Sequence, residues 1–455
     1  MKVNRFSRFQ QELSFLNVQD KIQQLYTRFY STKLGKIYKA FPAEKIAKKF
    51  KIQEKNKGPE SIFTPTGKIR LEYLKCYTGF SDKKLSEELM SNINYQLFCD
   101  VHFPLEVLRF DYKLISKIRL EIANKIQMEE YQKIFFDYWS PYIKEKNICL
   151  MDATCYESYV CYPSNIKLLC KSVLWLDIFM KKCARNSNLN RIRYKREVIE
   201  KYKVFARKKV KRRKERKQLT RRLLYILEKL LREHTDLSLY SFYRENIKSS
   251  NEKRIEIIKK ILNQQKKIFK GEKAEDKILS IDKEYIRTII RGKEKNKYEY
   301  GAKVHMIQIN GINFIEHLNY SAFNECTRMI STLRYHKKLT GKKAEMISGD
   351  RIYATNKNRK ILKKLKIRTN FKPKGRLGKN EKEEKILRKA LNKERSTRLE
   401  GSFGTEKEHY GDKRIKARTA KTEAYQILVK THCRNMLEIG RRMLEEEEKL
   451  KKSVA

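Results

Sequence analysis

The sequence predicts an α/β fold class, with a helical insertion inside the α/β part and an all-α domain ahead of it. Three observations predict it. From residue 147 onward the patterns run strand, hairpin, helix, strand, helix, which is an α/β order. Asn310-Gly311 separates two runs of alternating apolar residues, a strong hairpin signal because both turn residues must take positive φ. Between residues 165 and 275 the period changes to a helical one, with a leucine-rich stripe behind a basic run.

Taken in order, residues 1–58 read as a helical arm, with Leu13, Leu16, Ile22, Leu25 and Phe29 loosely at helical spacing and a hinge at Gly58-Pro59. Residues 59–140 form a second helical domain. Its pattern passes through Ile69, Leu71, Leu74 and Tyr77, breaks at Gly79-Phe80, and restarts after Ser81, a good N-cap residue. Leu85, Leu89, Ile93 and Leu97 then recur every four residues as one helix, which Phe103-Pro104 ends before another begins near Asp111. The punctuation resembles a helix-turn-helix. Residues 141–440 form the α/β domain. Asn147 through Asp152 reads as a buried strand ending in an acid, and the insertion follows, with Leu219, Leu223, Leu224, Ile226, Leu227, Leu230 and Leu231 on one face. Ala302, Val304 and Met306 begin the hairpin; a helix is expected over 321–336, a buried strand over 344–350 that again ends in an acid, and a short strand over 366–371. After a charged, glycine-bearing loop at 374–381, helical patterns continue, and residues 441–455 read as a charged tail.

The 455 residues include 107 Lys and Arg against 54 Asp and Glu, a formal charge of +53, with 40% hydrophobic residues. That apolar content rules out whole-chain disorder and suffices for at least one sizeable core. No apolar stretch approaches the roughly 20 residues of a membrane-spanning helix, and residues 1–14 lack the continuous apolar core of a secretory signal. The nine cysteines form no CxxC pair, which fits small apolar fillers in a reducing compartment. The expectation is a soluble, cytoplasmic protein associated with the nucleoid. The charge excess attracts polyanions, nucleic acid first. It peaks within residues 181–220, where 18 Lys and Arg face three acids, and Lys208, Lys209, Lys211, Arg212 and Arg213 are its centre. Tyr194, Tyr202 and Phe205 interleave the run and either stack on bases or pack on the core.

Two buried strands that each end in aspartate carry the chemistry, because parallel strands place their carboxyl ends along one sheet edge. Asp152 and Asp350 can therefore meet. Phosphodiester chemistry commonly uses two Mg²⁺ ions held by carboxylates. Glu400 supplies a third carboxylate, and at 100° per residue Lys407 returns to within roughly 20° of its line, so the two share a helix face. Phe403, about 60° away, would pin that helix to the sheet. An isolated acid at a strand end is most often a turn or capping residue; three in this order within so basic a chain point to metal-dependent chemistry on nucleic acid. Glu157, Glu345 and Glu406 are placed facing solvent. His409, His432 and Cys433 match no common zinc spacing, and Trp139 and Trp175 read as core anchors.

The segments Leu150-Met151-Asp152-Ala153-Thr154, Gly349-Asp350-Arg351-Ile352-Tyr353-Ala354-Thr355-Asn356 and Glu400-Gly401-Ser402-Phe403-Gly404-Thr405-Glu406-Lys407 resemble the three acidic blocks of bacterial insertion-sequence transposases of the DDE type. Gly79 through Phe98 is similar to the N-terminal helical domain of that group, and Tyr300-Gly301-Ala302-Lys303-Val304 to its middle strand. The resemblance implies a ribonuclease-H-like mixed sheet with a helical insertion at about 165–275. It implies Asp152, Asp350 and Glu400 as catalytic and metal-binding residues for two Mg²⁺ ions, with Mn²⁺ as a substitute. Lys407 sits where the family's Tyr-Arg-Glu-Lys signature has its lysine, while the signature arginine falls on Ser396, between Arg395 and Arg398, either of which can take its place beside DNA. The partners implied are double-stranded DNA, as terminal inverted repeats and target, and a second copy of the chain in the DNA complex. The alternatives are a nuclease of the same fold without joining activity and a non-catalytic DNA-binding protein derived from a transposase.

Overall fold

The computed structural model describes residues 18–54, 61–103, 110–160, 164–184, 195–290, 298–375, 380–409 and 414–454. Among these residues six strands form one mixed sheet: β1 (Ile148–Glu157), β2 (Thr288–Ile290), β3 (Tyr298–Ile309), β4 (Ile312–Asn319), β5 (Met346–Ser348) and β6 (Arg368–Thr369). Leu13, Leu16, Gly58, Pro59, Pro104, Tyr194 and residues 376–379 of the charged loop lie outside the described residues. The order along the sheet is β3-β1-β5-β6; β1 and β6 each run parallel to β5, and β4 pairs antiparallel with β3. Asn310 and Gly311 take φ of 48° and 83° and close the expected hairpin. The α/β class and the mixed sheet are as expected from the sequence.

Two elements differ. β1 does not end at Asp152 but continues to Glu157, because β3 flanks its other edge after the short pairing with β5 stops at Leu150. The helix expected over 321–336 starts as a tight 3₁₀ turn, Glu325–Arg328, and becomes α-helical over Met329–Thr340. The Asn324 side chain, which accepts the Cys326 N–H at 3.2 Å, sets that turn.

The chain divides into two compact units. The first comprises Met1–Ser158, Ala302–Asn319 and Phe323–Ala455. In it, Thr64 caps the helix Pro65–Thr78 by accepting the Gly67 N–H at 2.9 Å, and Pro65 at the first helical position loses no bond by lacking an N–H. Gly79, left-handed at φ 68°, ends that helix, and Ser81 caps the next, Asp82–Ser91. The four-residue repeat through Leu97 is two helices rather than one. Asn92 turns extended and its carboxamide accepts the Asn94 N–H at 3.0 Å, opening Ile93–Cys99. Trp139 is fully buried with its indole N–H on the Ala40 carbonyl at 2.8 Å. Gln132, equally buried, docks the helix Met128–Trp139 on the sheet: its amide donates to the Ile315 carbonyl at 2.8 Å and accepts the Ile315 N–H at 2.6 Å, as a neighbouring strand would.

His432 is fully buried in this unit, on the long helix Ala420–Val454. Its ring lies among Phe135, Trp139, Tyr131 and Phe314, with centroids 4.5 to 6.2 Å away. Neither ring nitrogen has a hydrogen-bond partner, and burial pushes its pKa down to about 3. The folded chain thus holds a neutral imidazole that the unfolded chain protonates below its ordinary value near 6.5. This contribution is complete above pH 6.5 and shrinks as the pH falls toward 3, by about 1.4 kcal/mol per pH unit. His432→Leu is expected to lose about 2 kcal/mol less than the wild type between pH 7.5 and pH 5, read from urea midpoints. Equal losses would contradict this.

The second unit, Tyr159–Gly301 with Tyr320–Ala322, contains the insertion. Its helices Asn165–Cys183, Lys195–Arg207, Arg213–Leu237 and Ser249–Lys270 bury the expected stripe from Leu219 to Leu231 in a common core. Phe205 is buried in that core, so it packs rather than stacks on a base, and Trp175 lies partly buried against Phe179. The peak of the basic run is not a helix face: Lys208, Lys209, Lys211 and Arg212 form an exposed connector between two helices, with Arg213 opening the second. Among the described residues no helix is long and apolar enough to cross a membrane, and the described cysteines are thiols, all buried except the half-buried Cys326.

Candidate active site

The parallel pairing of β1 with β5 runs Ile148↔Met346, Cys149↔Ile347 and Leu150↔Ser348. The pairing ends there, two residues before Asp152 on β1 and two before Asp350, which follows the end of β5. Gly349 lets Met151 cross this point: a Cβ there would lie 2.6 Å from the Met151 Cε. Asp152 is mostly buried, and its Oδ1 accepts the Ala153 N–H at 2.8 Å. Asp350 is exposed and caps the 3₁₀ turn Arg351–Tyr353, accepting the Arg351 N–H at 2.6 Å.

Glu400 arrives from a helix that changes its pitch. Residues Arg395–Leu399 form a π-helical turn in which the Glu400 N–H reaches the Arg395 carbonyl, five residues back. One extra residue in the turn brings positions i and i+5 onto one face, where an α-helix would align i and i+4. Arg395 therefore stands where the wheel had placed Ser396. A single nitrogen of its guanidinium, Nη1, lies 3.0 Å from Asp152 Oδ2 and 2.8 Å from Glu400 Oε1. The two carboxylate oxygens are thus no farther apart than the sum of those contacts. Arg398 points elsewhere, pairing with Glu394 at 3.1 Å, and its backbone carbonyl accepts from Gln308 at 3.3 Å.

After the π turn the helix Glu400–His409 lies along β1. Lys407 Nζ donates to Thr154 Oγ1 at 2.6 Å, and Thr154 shares the Asp152 face of the strand two residues on. Phe403 is buried, as its place on the wheel implied. Glu406 corrects its expected place in solvent. It is fully buried, accepting from the Tyr156 hydroxyl, from Asn313 Nδ2 at 2.7 Å and from Thr431 Oγ1 at 3.2 Å. Burial raises its pKa. The signal was available, since Glu406 is one turn beyond Phe403 and so shares its inward face. Its bonds tie the helix carrying Glu400 to β1, β4 and the helix Ala420–Val454. Glu345 is exposed, and Glu157, half-buried, pairs with Arg414 at 3.1 Å.

Burial raises the Asp152 carboxyl to about 6, an effect only partly offset by the Ala153 N–H and the Arg395 guanidinium; the carboxylates of Glu325 and Glu400 push it further up. Glu325 went unnoticed in the sequence. It opens the 3₁₀ turn before Met329, pairs with Lys303 at 2.7 Å and lies 3.5 Å from the Tyr353 hydroxyl. A buried carboxylate with acid neighbours favours a nearby cation. The donors are all carboxylate oxygens, the set hard divalent cations take, and two of them already converge on one positive nitrogen. They fit such an ion. With the side chains as they stand, no group of three or more His, Cys, Asp and Glu among the described residues is arranged to hold a metal; the Asp350 carboxylate is turned to its own helix cap.

Residues 347–437 match the family model of the transposase DDE domain. That stretch includes Asp350, Arg395, Glu400 and Lys407 but not Asp152. No curated protein and no solved structure matches the chain. The match of segment 347–437 to a transposase DDE domain supports a DDE-type transposase.

Proposed function

We propose that the chain is the transposase of an insertion sequence, which binds the element's terminal inverted repeats, cuts the DNA at them and joins the freed ends to target DNA. The observation that carries this reading is the convergence of Asp152 and Glu400 on one Arg395 nitrogen, with Asp350 two residues beyond the strand that pairs with β1. Asp152, Asp350 and Glu400 would hold two Mg²⁺ ions, or Mn²⁺ in their place, which when bound activate the attacking oxygen and stabilise the leaving one. The chain's own groups do the rest. The three carboxylates fix the position of the scissile phosphate relative to the attacking oxygen. Lys407 is proposed to meet a substrate phosphate from its place against β1, with Arg395 or Arg398 beside it. Water is the nucleophile in cutting and a DNA 3′ hydroxyl in joining, so one site serves both.

The helical region 59–140 and the exposed connector bearing Lys208, Lys209, Lys211, Arg212 and Arg213 would grip the DNA backbone. Two ends must be paired, so a homodimer is proposed in the DNA complex. Incubation of the protein with an end-bearing oligonucleotide, a supercoiled plasmid and Mg²⁺ tests the reading. Joined products are expected. Nicks without joining would favour a nuclease of the same fold, and neither product would favour a DNA-binding protein without catalysis.

A further inference from the structure

We propose that Arg395 competes with the divalent cation for Asp152 and Glu400, and that entry of the cation releases its guanidinium for a DNA phosphate. This rests on the reading of those carboxylates as metal ligands. One nitrogen makes both contacts, at 3.0 and 2.8 Å. A Mg²⁺ ion bound to the same two oxygens sits about 2.1 Å from each, so it and the nitrogen claim the same space. The divalent charge also more than replaces that of the guanidinium, which is then repelled rather than held.

The released group has a reason to bind elsewhere. Arg395 Nε is buried and has no hydrogen-bond partner, which is costly for a charged donor. Phosphate takes two parallel N–H bonds from the guanidinium fork, and Nε is one of the donors such a pair can use. The π turn makes the exchange local: Arg395 and Glu400 share one helical turn, so only a side chain has to move. Cation and DNA would then bind in concert.

The test measures Mn²⁺ binding to the full chain without DNA, by electron paramagnetic resonance of the free ion, for wild type, Arg395→Met, Arg395→Gln, Asp152→Asn and Glu400→Gln. Both Arg395 variants are expected to bind Mn²⁺ more tightly, by roughly tenfold or more, as when a like charge is removed a few ångströms from a cation. Asp152→Asn and Glu400→Gln are expected to lose the site. Unchanged or weaker binding by the Arg395 variants, with Asp152→Asn still abolishing it, overturns the competition and leaves the metal reading intact. If Asp152→Asn and Glu400→Gln leave Mn²⁺ affinity unchanged, the metal reading falls and the competition with it. Should neither Arg395 variant fold, the wild type decides: Mn²⁺ is expected to increase phenylglyoxal modification of Arg395, read by mass spectrometry, and an unchanged or reduced yield overturns the proposal.

Discussion

Asp152→Asn, Asp350→Asn and Glu400→Gln are each expected to lower strand cleavage on the order of a thousandfold or more while leaving the circular dichroism spectrum unchanged. Each replacement keeps the size of the side chain and removes a charge that the proposed mechanism needs next to the scissile phosphate. Losses of this order follow when one preorganised charged group is taken from a transition state. Glu157→Gln is the control, since its carboxylate is spoken for by Arg414, and its activity is expected to stay near wild type. A cleavage rate within tenfold of wild type for any of the three carboxylate variants would remove that residue from the proposed site.

The second large effect concerns stability. Arg119, on the helix Lys113–Lys125, donates from Nε to both oxygens of Glu72 at 2.9 Å and from Nη2 to Asp82 at 2.8 Å. Glu72 is almost fully buried, and Lys75 also pairs with Asp82. The pairing holds Asp82 below the usual carboxylate range despite its burial. Three helices, Pro65–Thr78, Asp82–Ser91 and Lys113–Lys125, are therefore joined through one guanidinium. Arg119→Met leaves the Glu72 carboxylate buried without its counter-ion, which costs about 3–5 kcal/mol. Urea unfolding should show it, and the variant should lose binding to end-bearing duplex along with the helical region. A loss under 1 kcal/mol would mean that Glu72 finds water or another partner.

The parts of the fold that were legible in the sequence are those where local chemistry dictates the backbone. Asn310-Gly311 closes a hairpin because both residues accept positive φ, and Ser81 caps a helix because its hydroxyl takes the Lys84 N–H. The leucine stripe from Leu219 to Leu231 is buried because a period near 3.6 leaves one apolar face. What misled the reading was a change of period or a partner distant in sequence. Arg395 faces Glu400 only through a π turn, which a wheel at 100° per residue does not contain. Asn92 breaks a four-residue repeat that apolar spacing alone would continue. Glu406 looks like a surface acid until Tyr156, Asn313 and Thr431, from three other elements, supply its donors. Glu325 reaches the neighbourhood of Asp152 from a turn more than 170 residues away in sequence.

Asp152 and Asp350 illustrate both sides. That two acids follow apolar runs was visible from the residues; that those runs are neighbouring parallel strands depends on a pairing that ends at Leu150 and Ser348. Of the three acids the family match reaches Asp350 and Glu400, so the place of Asp152 in the site rests on its ion pair with Arg395.

The most direct measurement is anomalous diffraction from crystals of the chain soaked in Mn²⁺. The account predicts a peak within bonding distance of Asp152, Asp350 and Glu400 that disappears in Asp152→Asn. A Mn²⁺ peak elsewhere, with none at these carboxylates while the same protein cleaves DNA in Mn²⁺, would contradict it.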